Sequence, residues 1–328
     1  MIKKVFPGGV GNTPFDSFKI FMISEGYTAD QKANFTADCL EFVELLHATT
    51  PFNLTRIRPY WLSVYSVFTP SNNNGPAIDT SASTDRTAFE SSFTSSSGLL
   101  SVNQIKVNDY INAQNLHVQN TDIPLSNFCT KGDLTYGSTG SLIVLILPSI
   151  SGHPQGGEFE NTPGENDYYF IAVSKDGLWH QAILRSIARC LGLGDEFELD
   201  GASNLAPDNQ TRKELAYFNT QYFDPAPSHP ITAKFKWYFL FSANQRSLPP
   251  IVHAKADPNT IDTTLDDPPA TPVGIEFWEG GGRFRTKVWR SAHDCLMRRR
   301  IGDSNLPMRQ RMVPFCPACK HYLTQIII

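Results

Sequence analysis

Three short runs rich in apolar β-formers constrain this chain most: Phe18 to Ser24, Ser141 to Leu147 and Tyr168 to Ser174. They are too short for ordinary core helices and carry almost no polar alternation, so they read as strands buried on both faces, the last two central. Trp61 to Phe68 alternates apolar and polar residues as a further strand, closed by the turn chemistry of Thr69 to Gly75. Helices fall between the strands. Thr28-Ala-Asp-Gln31 has the spacing of a capping box, and Phe35, Cys39, Phe42, Val43 and Leu46 then recur at intervals of three and four until Pro51. From Leu178 to Leu191, residues Ile183, Leu184, Ile187, Ala188 and Leu191 share one helix face, with Arg185 and Arg189 on its flank, before Gly192 and Gly194 end it.

This alternation over residues 18–192 predicts an α/β layered domain with a mixed sheet and core helices, followed by a long irregular C-terminal region with Pro-rich connections at 225–230, 249–250 and 268–272. Phe89 and Phe93, four apart in the Ser-rich stretch 80–98, predict a short helix. His153 to Glu165 reads as a glycine-containing loop. With no internal repeat and no clean boundary, 1–328 is read as a single domain, 1–16 as an N-terminal extension and 274–328 as a Cys-containing subregion.

Composition narrows function. The 28 basic against 32 acidic residues give −4, so no global positive field exists to hold a polyanion. The basic run Arg283, Arg285, Lys287, Arg290, Arg298, Arg299, Arg300, Arg309 and Arg311, interleaved with Phe284 and Trp289, is the one feature favouring RNA, and in a net-acidic chain it reads first as a solvated or subunit-contacting face. The longest apolar run, Leu142 to Pro148, is far short of the ~20 residues a membrane span needs. The opening residues lack the apolar core of a secretory signal, so the expectation is a cytoplasmic protein or one exported without a cleaved signal. Six cysteines in 328 residues are too dilute for a disulfide scaffold.

Several motifs in order resemble one family. Ile20 to Gln31, with its Ser24-Glu-Gly-Tyr27 turn, then Phe52, then Trp61 to Ser71, are similar to the opening of the catalytic domain of the bacterial IgA-peptidase-like zinc metallopeptidases. The resemblance continues through Gly192 to Phe197, Lys236-Trp237, Glu279 to Gly282, Cys295 to Arg298 and Phe315 to Cys319, covering the chain from about residue 17 onward. It implies a zincin-like fold. It also implies a helix bearing H-E-x-x-H, whose histidines hold zinc while the glutamate serves as general base.

That helix is altered at each essential position. The histidine positions hold Leu184 and Ala188, which have no lone pair for a metal, and the glutamate position holds Arg185, which stays protonated and cannot accept a proton. The expectation is therefore a pseudopeptidase, a binding or structural module for a protein partner, within a larger assembly and without a catalytic cofactor. The alternative is an active metal-dependent peptidase with other ligands. His180, one turn earlier, with Asp195 and Glu196 forms a weak candidate set, for which a first-turn histidine and a solvated acidic loop are the simpler readings. An EF-hand register from Glu196 fails because Pro207 falls where its last ligand belongs. The loop His153 to Glu165, His229 and His253 are further candidate ligand sources. Gly280 and Gly281 read as a turn or close backbone approach, and the resemblance puts them near the former cleft.

Cys316-Pro-Ala-Cys319, with His321 beyond it and Cys295 upstream, offers structural-zinc spacing. A disulfide and three buried thiols are the competing readings. At least two of the three sulfurs are expected within bonding reach.

Overall fold

The computed structural model describes residues 2–6, 18–56, 61–79, 87–118, 121–129, 140–153, 156–161, 167–177 and 179–194, and beyond them residues 206, 219–222, 236–237, 240–241, 252–254, 257, 277–281, 284–291, 295–298 and 314–327. The chain divides into two compact units, one of Met1–Cys190 with Arg300–Ser304 and Ile327–Ile328, the other of Leu191–Arg299 with Asn305–Ile326.

The first unit is a mixed α/β layer. Its strands are β1 (Ile2–Phe6), β2 (Phe18–Ser24), β3 (Leu62–Val67), β4 (Ala77–Ile78), β5 (Ser92–Thr94), β6 (Leu99–Ser101), a separate hairpin of β7 (Asn115–Val118) and β8 (Thr121–Pro124), then β9 (Ser141–Leu147), β10 (Glu158–Glu160) and β11 (Phe170–Ser174). Nine of them form one sheet in the order β1-β3-β2-β9-β11-β10-β6-β5-β4. Its centre, β3-β2-β9-β11, is wholly parallel, and all four of these strands are buried along their length. Parallel strands need both faces covered, which is why β2, β9 and β11 are nearly continuous apolar runs, while β3 buries Ser63 and Ser66 between its apolar residues.

Successive side chains take opposite faces of the sheet. Phe21, Ile23, Tyr65, Val67, Ile143, Leu145, Leu147, Phe170 and Ala172 form one cluster with Val107 and Ile111 of helix α2 (Gln104–Ala113) and with Leu125 and Phe128 of the following 3-10 turn. The alternate residues, Ile20, Met22, Val64, Leu142, Val144, Ile146, Ile171 and Val173, are equally buried. That face is covered by helices α1 (Lys32–Ala48) and α3 (Trp179–Cys190): α3 packs on β9 and β11, and α1 on β3 and on α3. The predicted core positions of α1, Phe35, Cys39, Phe42, Val43 and Leu46, are all buried. The capping box precedes α1 as a 3-10 turn, where the Thr28 N–H donates to Gln31 Oε1 at 2.9 Å while the Thr28 hydroxyl donates to Asp30.

Two local expectations are corrected. Phe89 and Phe93 lie on no helix: Phe89 sits in a turn and Phe93 on β5, because both rings are drawn into the sheet-face cluster. The glycine-containing loop is interrupted by β10, whose three residues pair with β11. No described helix is long and apolar enough to cross a membrane.

The turn after β2 ties distant segments together. Gly26 adopts φ +75°, and a Cβ there would lie 3.1 Å from the backbone of Gly75, whose N–H donates to the Gly26 carbonyl at 2.8 Å. Only glycine allows that approach. Beside it, the fully buried Glu25 accepts the N–H groups of Phe89 (3.0 Å) and Ser91 (3.2 Å). Burial raises the Glu25 pKa above its ordinary value of 4.5, opposed by hydrogen bonds from Thr87, Ser91 and Phe89.

The second unit holds a four-stranded sheet, β12 (Thr220–Tyr222), β15 (Phe284–Arg290), β14 (Phe277–Gly281) and β13 (Val252–His253) in that spatial order, and helix α4 (Pro317–Ile327). Buried Trp237 and Phe241 pack on Phe277.

Glu25→Ala takes the acceptor from the buried Phe89 N–H, while the Ser91 N–H keeps Thr87 Oγ1 at 2.9 Å, and is expected to destabilise the protein by about 1–3 kcal/mol, read from the urea midpoint. Glu25→Gln keeps one acceptor oxygen and loses less. Because the folded-state pKa is raised, the carboxyl favours folding below its unfolded pKa and loses that contribution as pH rises through the raised value. Glu25→Gln removes this part of the pH dependence.

Candidate functional site

The segment Leu184 to Ala188 lies on α3, in the first unit. Leu184 and Ala188 are fully buried, and as apolar side chains they need no polar partner there.

Arg185 is the informative residue. It is 1% exposed, and its Nη2 donates to Glu158 and, at 3.4 Å, to Glu160. Arg189, one turn further on, also pairs with Glu160, whose Oε1 accepts the Tyr169 hydroxyl at 2.6 Å. Both carboxylates come from β10. In the Glu158-Phe159-Glu160 strand the period of two places the glutamates on one face and Phe159 on the other, where it joins the sheet-face cluster and lies 5.8 Å from Phe170. Two guanidinium and two carboxylate charges cancel inside the protein. A buried arginine is tolerable only with such compensation. The sequence reading put Arg185 and Arg189 on one flank but missed Glu158 and Glu160. The signal was present as the acid-aromatic-acid alternation inside the supposed loop.

The remaining candidates are dispersed. His180 stands half-buried in the first turn of α3, and its pKa is lowered by desolvation, partly opposed by the charge of Glu41. Asp195, Glu196 and His229 lie outside the described residues. His153 packs on Phe93 at 4.8 Å, and His253 stacks on Trp278 at 3.6 Å. Gly280 and Gly281 are on β14, where Gly281 pairs with Phe284 beyond a register shift. Of the basic and aromatic run, Trp289 and Arg290 are buried, so neither is presented for stacking on a base. A zincin-type metal does not fit α3, since Leu184 and Ala188 offer no donor atom and Arg185 brings a fixed positive charge.

In the second unit Cys295, Cys316 and Cys319 converge. All are buried, their sulfurs lie within 4.8 Å of one another, and Cys295 Sγ and Cys319 Sγ are 3.6 Å apart. No disulfide joins them. Backbone N–H groups point at sulfur, Cys316 to Cys295 Sγ at 3.3 Å and Cys319 to Cys316 Sγ at 3.5 Å, and the Ser291 hydroxyl lies 3.4 Å from Cys316 Sγ. Burial opposes the Cys316 thiolate, yet hydrogen bonds from Cys295, Cys319 and Ser291 hold its pKa well below the thiol range. Cys319 is pushed well above that range by burial and by its hydrogen bonds to the other two sulfurs. Pro317 at the first helical position of α4 sets this geometry, its missing N–H costing nothing there. His321 is half-buried on α4 and is not among the clustered ligand atoms; two residues along a helix is a rotation of about 200°, to the far side.

No family model matches the chain, and no curated protein matches it. Its chemistry is therefore read from these side chains.

Arg185→Ala takes the guanidinium away from buried Glu158, while Glu160 keeps Arg189 and Tyr169, and is expected to cost about 3–5 kcal/mol in urea unfolding. The double change Arg185→Met with Glu158→Leu removes a charge of each sign and should recover a large part of that loss. Leu184→Ala is expected to cost about 2–5 kcal/mol as a core truncation.

Proposed function

We propose that this chain is a pseudopeptidase: a zincin-like layered domain, akin to the IgA-peptidase-like metallopeptidases, that serves as a binding or structural module for a protein partner in a larger assembly. The observation that carries this reading is Arg185. The position where the family's motif has its general base holds a guanidinium locked between Glu158 and Glu160, while both metal-ligand positions are buried as Leu184 and Ala188.

Zincin catalysis needs a metal to acidify water, a carboxylate to take its proton and an open coordination position. Here Leu184, Arg185 and Ala188 supply none of the donors, and the nearby carboxylates of β10 are paired with arginines. The alteration is also compensated. An unpaired arginine at this depth would unfold the domain, so the charge change on α3 and the carboxylates of β10 operate as one unit. Function therefore passes from the motif helix to the surfaces it supports, since activity resides in the site and not in the fold.

The test is a peptidase assay of the full chain on unstructured protein substrates, with and without added zinc and with a chelator. The expected outcome is no cleavage under any condition. Cleavage that zinc supports, that the chelator abolishes and that His180→Ala removes would replace this reading with that of an active metallopeptidase using other ligands.

A further inference from the structure

The three-cysteine cluster is independent of the α3 motif, and its geometry is that of a metal cage. Tetrahedral zinc with Zn–S bonds of ~2.3 Å places its sulfurs about 3.8 Å apart. Cys295 Sγ and Cys319 Sγ stand at 3.6 Å, and the third sulfur completes a triangle with every side within 4.8 Å. A disulfide demands about 2.05 Å between two sulfurs and would leave the third thiol buried and unused. We propose that Cys295, Cys316 and Cys319 bind one zinc ion through three thiolates, as a structural site that fastens helix α4 to the segment around Cys295.

The surroundings suit bound thiolates. Two backbone N–H groups and the Ser291 hydroxyl lie within hydrogen-bond reach of the sulfurs, an outer shell that orients ligands and spreads their charge. Cys316 and Cys319 bracket the first turn of α4, whose N-terminal dipole stabilises negative charge. The anchoring is already drawn in the backbone, where the Leu296 N–H donates to the Pro314 carbonyl at 3.1 Å, bringing the two ligand-bearing segments side by side. Each sulfur binds as its thiolate, any proton it still carries passing to solvent as it bonds to the metal, and the oxidation state of sulfur is unchanged. The fourth corner of the tetrahedron goes to a non-sulfur ligand, since among the described residues no fourth cysteine, histidine or carboxylate atom joins the cluster. Metal held this way adds its binding free energy to folding of the unit.

The experiment uses the full chain, purified anaerobically under reducing conditions without chelator. Zinc content is measured, the metal is removed and cobalt(II) is titrated in. The expected result is one metal per chain, with a sulfur-to-cobalt charge-transfer band and the visible bands of tetrahedral cobalt, both erased by zinc. Cys319→Ser should weaken cobalt binding by at least about tenfold. Should that variant fail to fold, the wild-type spectrum alone decides. Three thiols that titrate freely with no charge-transfer band, or an intact mass short of the two hydrogens of a disulfide, would overturn the proposal. Metal bound without the sulfur band would overturn it too, and would point instead to nitrogen or oxygen ligands, which bears on the pseudopeptidase reading alone.

Discussion

Four parallel strands, β3, β2, β9 and β11, lie side by side in the first unit, and their burial on both faces is the condition from which its other features follow. A parallel sheet cannot leave one face in water when its strands carry apolar residues on both, so covering elements are required above and below. Helices α1 and α3 supply one layer; α2 and the 3-10 turn at Leu125–Phe128 supply the other. Most of α3 is thereby committed to a dry environment, Arg185 included.

That commitment decides what the Leu184 to Ala188 segment can be. At the surface an arginine would be a small electrostatic matter, worth a fraction of a kcal/mol. Inside, a charge must be matched or the fold fails. Matching comes from β10, which contributes glutamates on one face and on the other a phenylalanine that packs into the core. The same short strand thus secures the sheet and neutralises the helix, and the Tyr169 hydroxyl fixes the carboxylate that serves both arginines. The charges on α3 are arranged as those of a structural element.

The second unit uses a different device. Its described sheet has four short strands, and its C-terminal helix begins at a cluster of three buried sulfurs. A proline that starts the helix and N–H groups turned toward sulfur hold the three side chains together there.

Much of this was readable from sequence. The runs at Phe18–Ser24 and Ser141–Leu147 are strands over their full predicted length, the buried residues of α1 are those of its apolar stripe, and α3 lies within one residue of its predicted bounds. The convergence of the cysteines was also anticipated, because their spacing is local over Cys316–Cys319 and needs only one distant partner. These features depend on periodicity and neighbours along the chain, which sequence alone determines. The role of Arg185, the strand character of β10 and the places of Phe89 and Phe93 were not legible. Each depends on a partner far along the chain, as with the 25 residues or more that separate Arg185 from its carboxylates. A charge in a sequence has no fixed value until its surroundings set the dielectric and the counter-charge, and only the tertiary structure brings those to it.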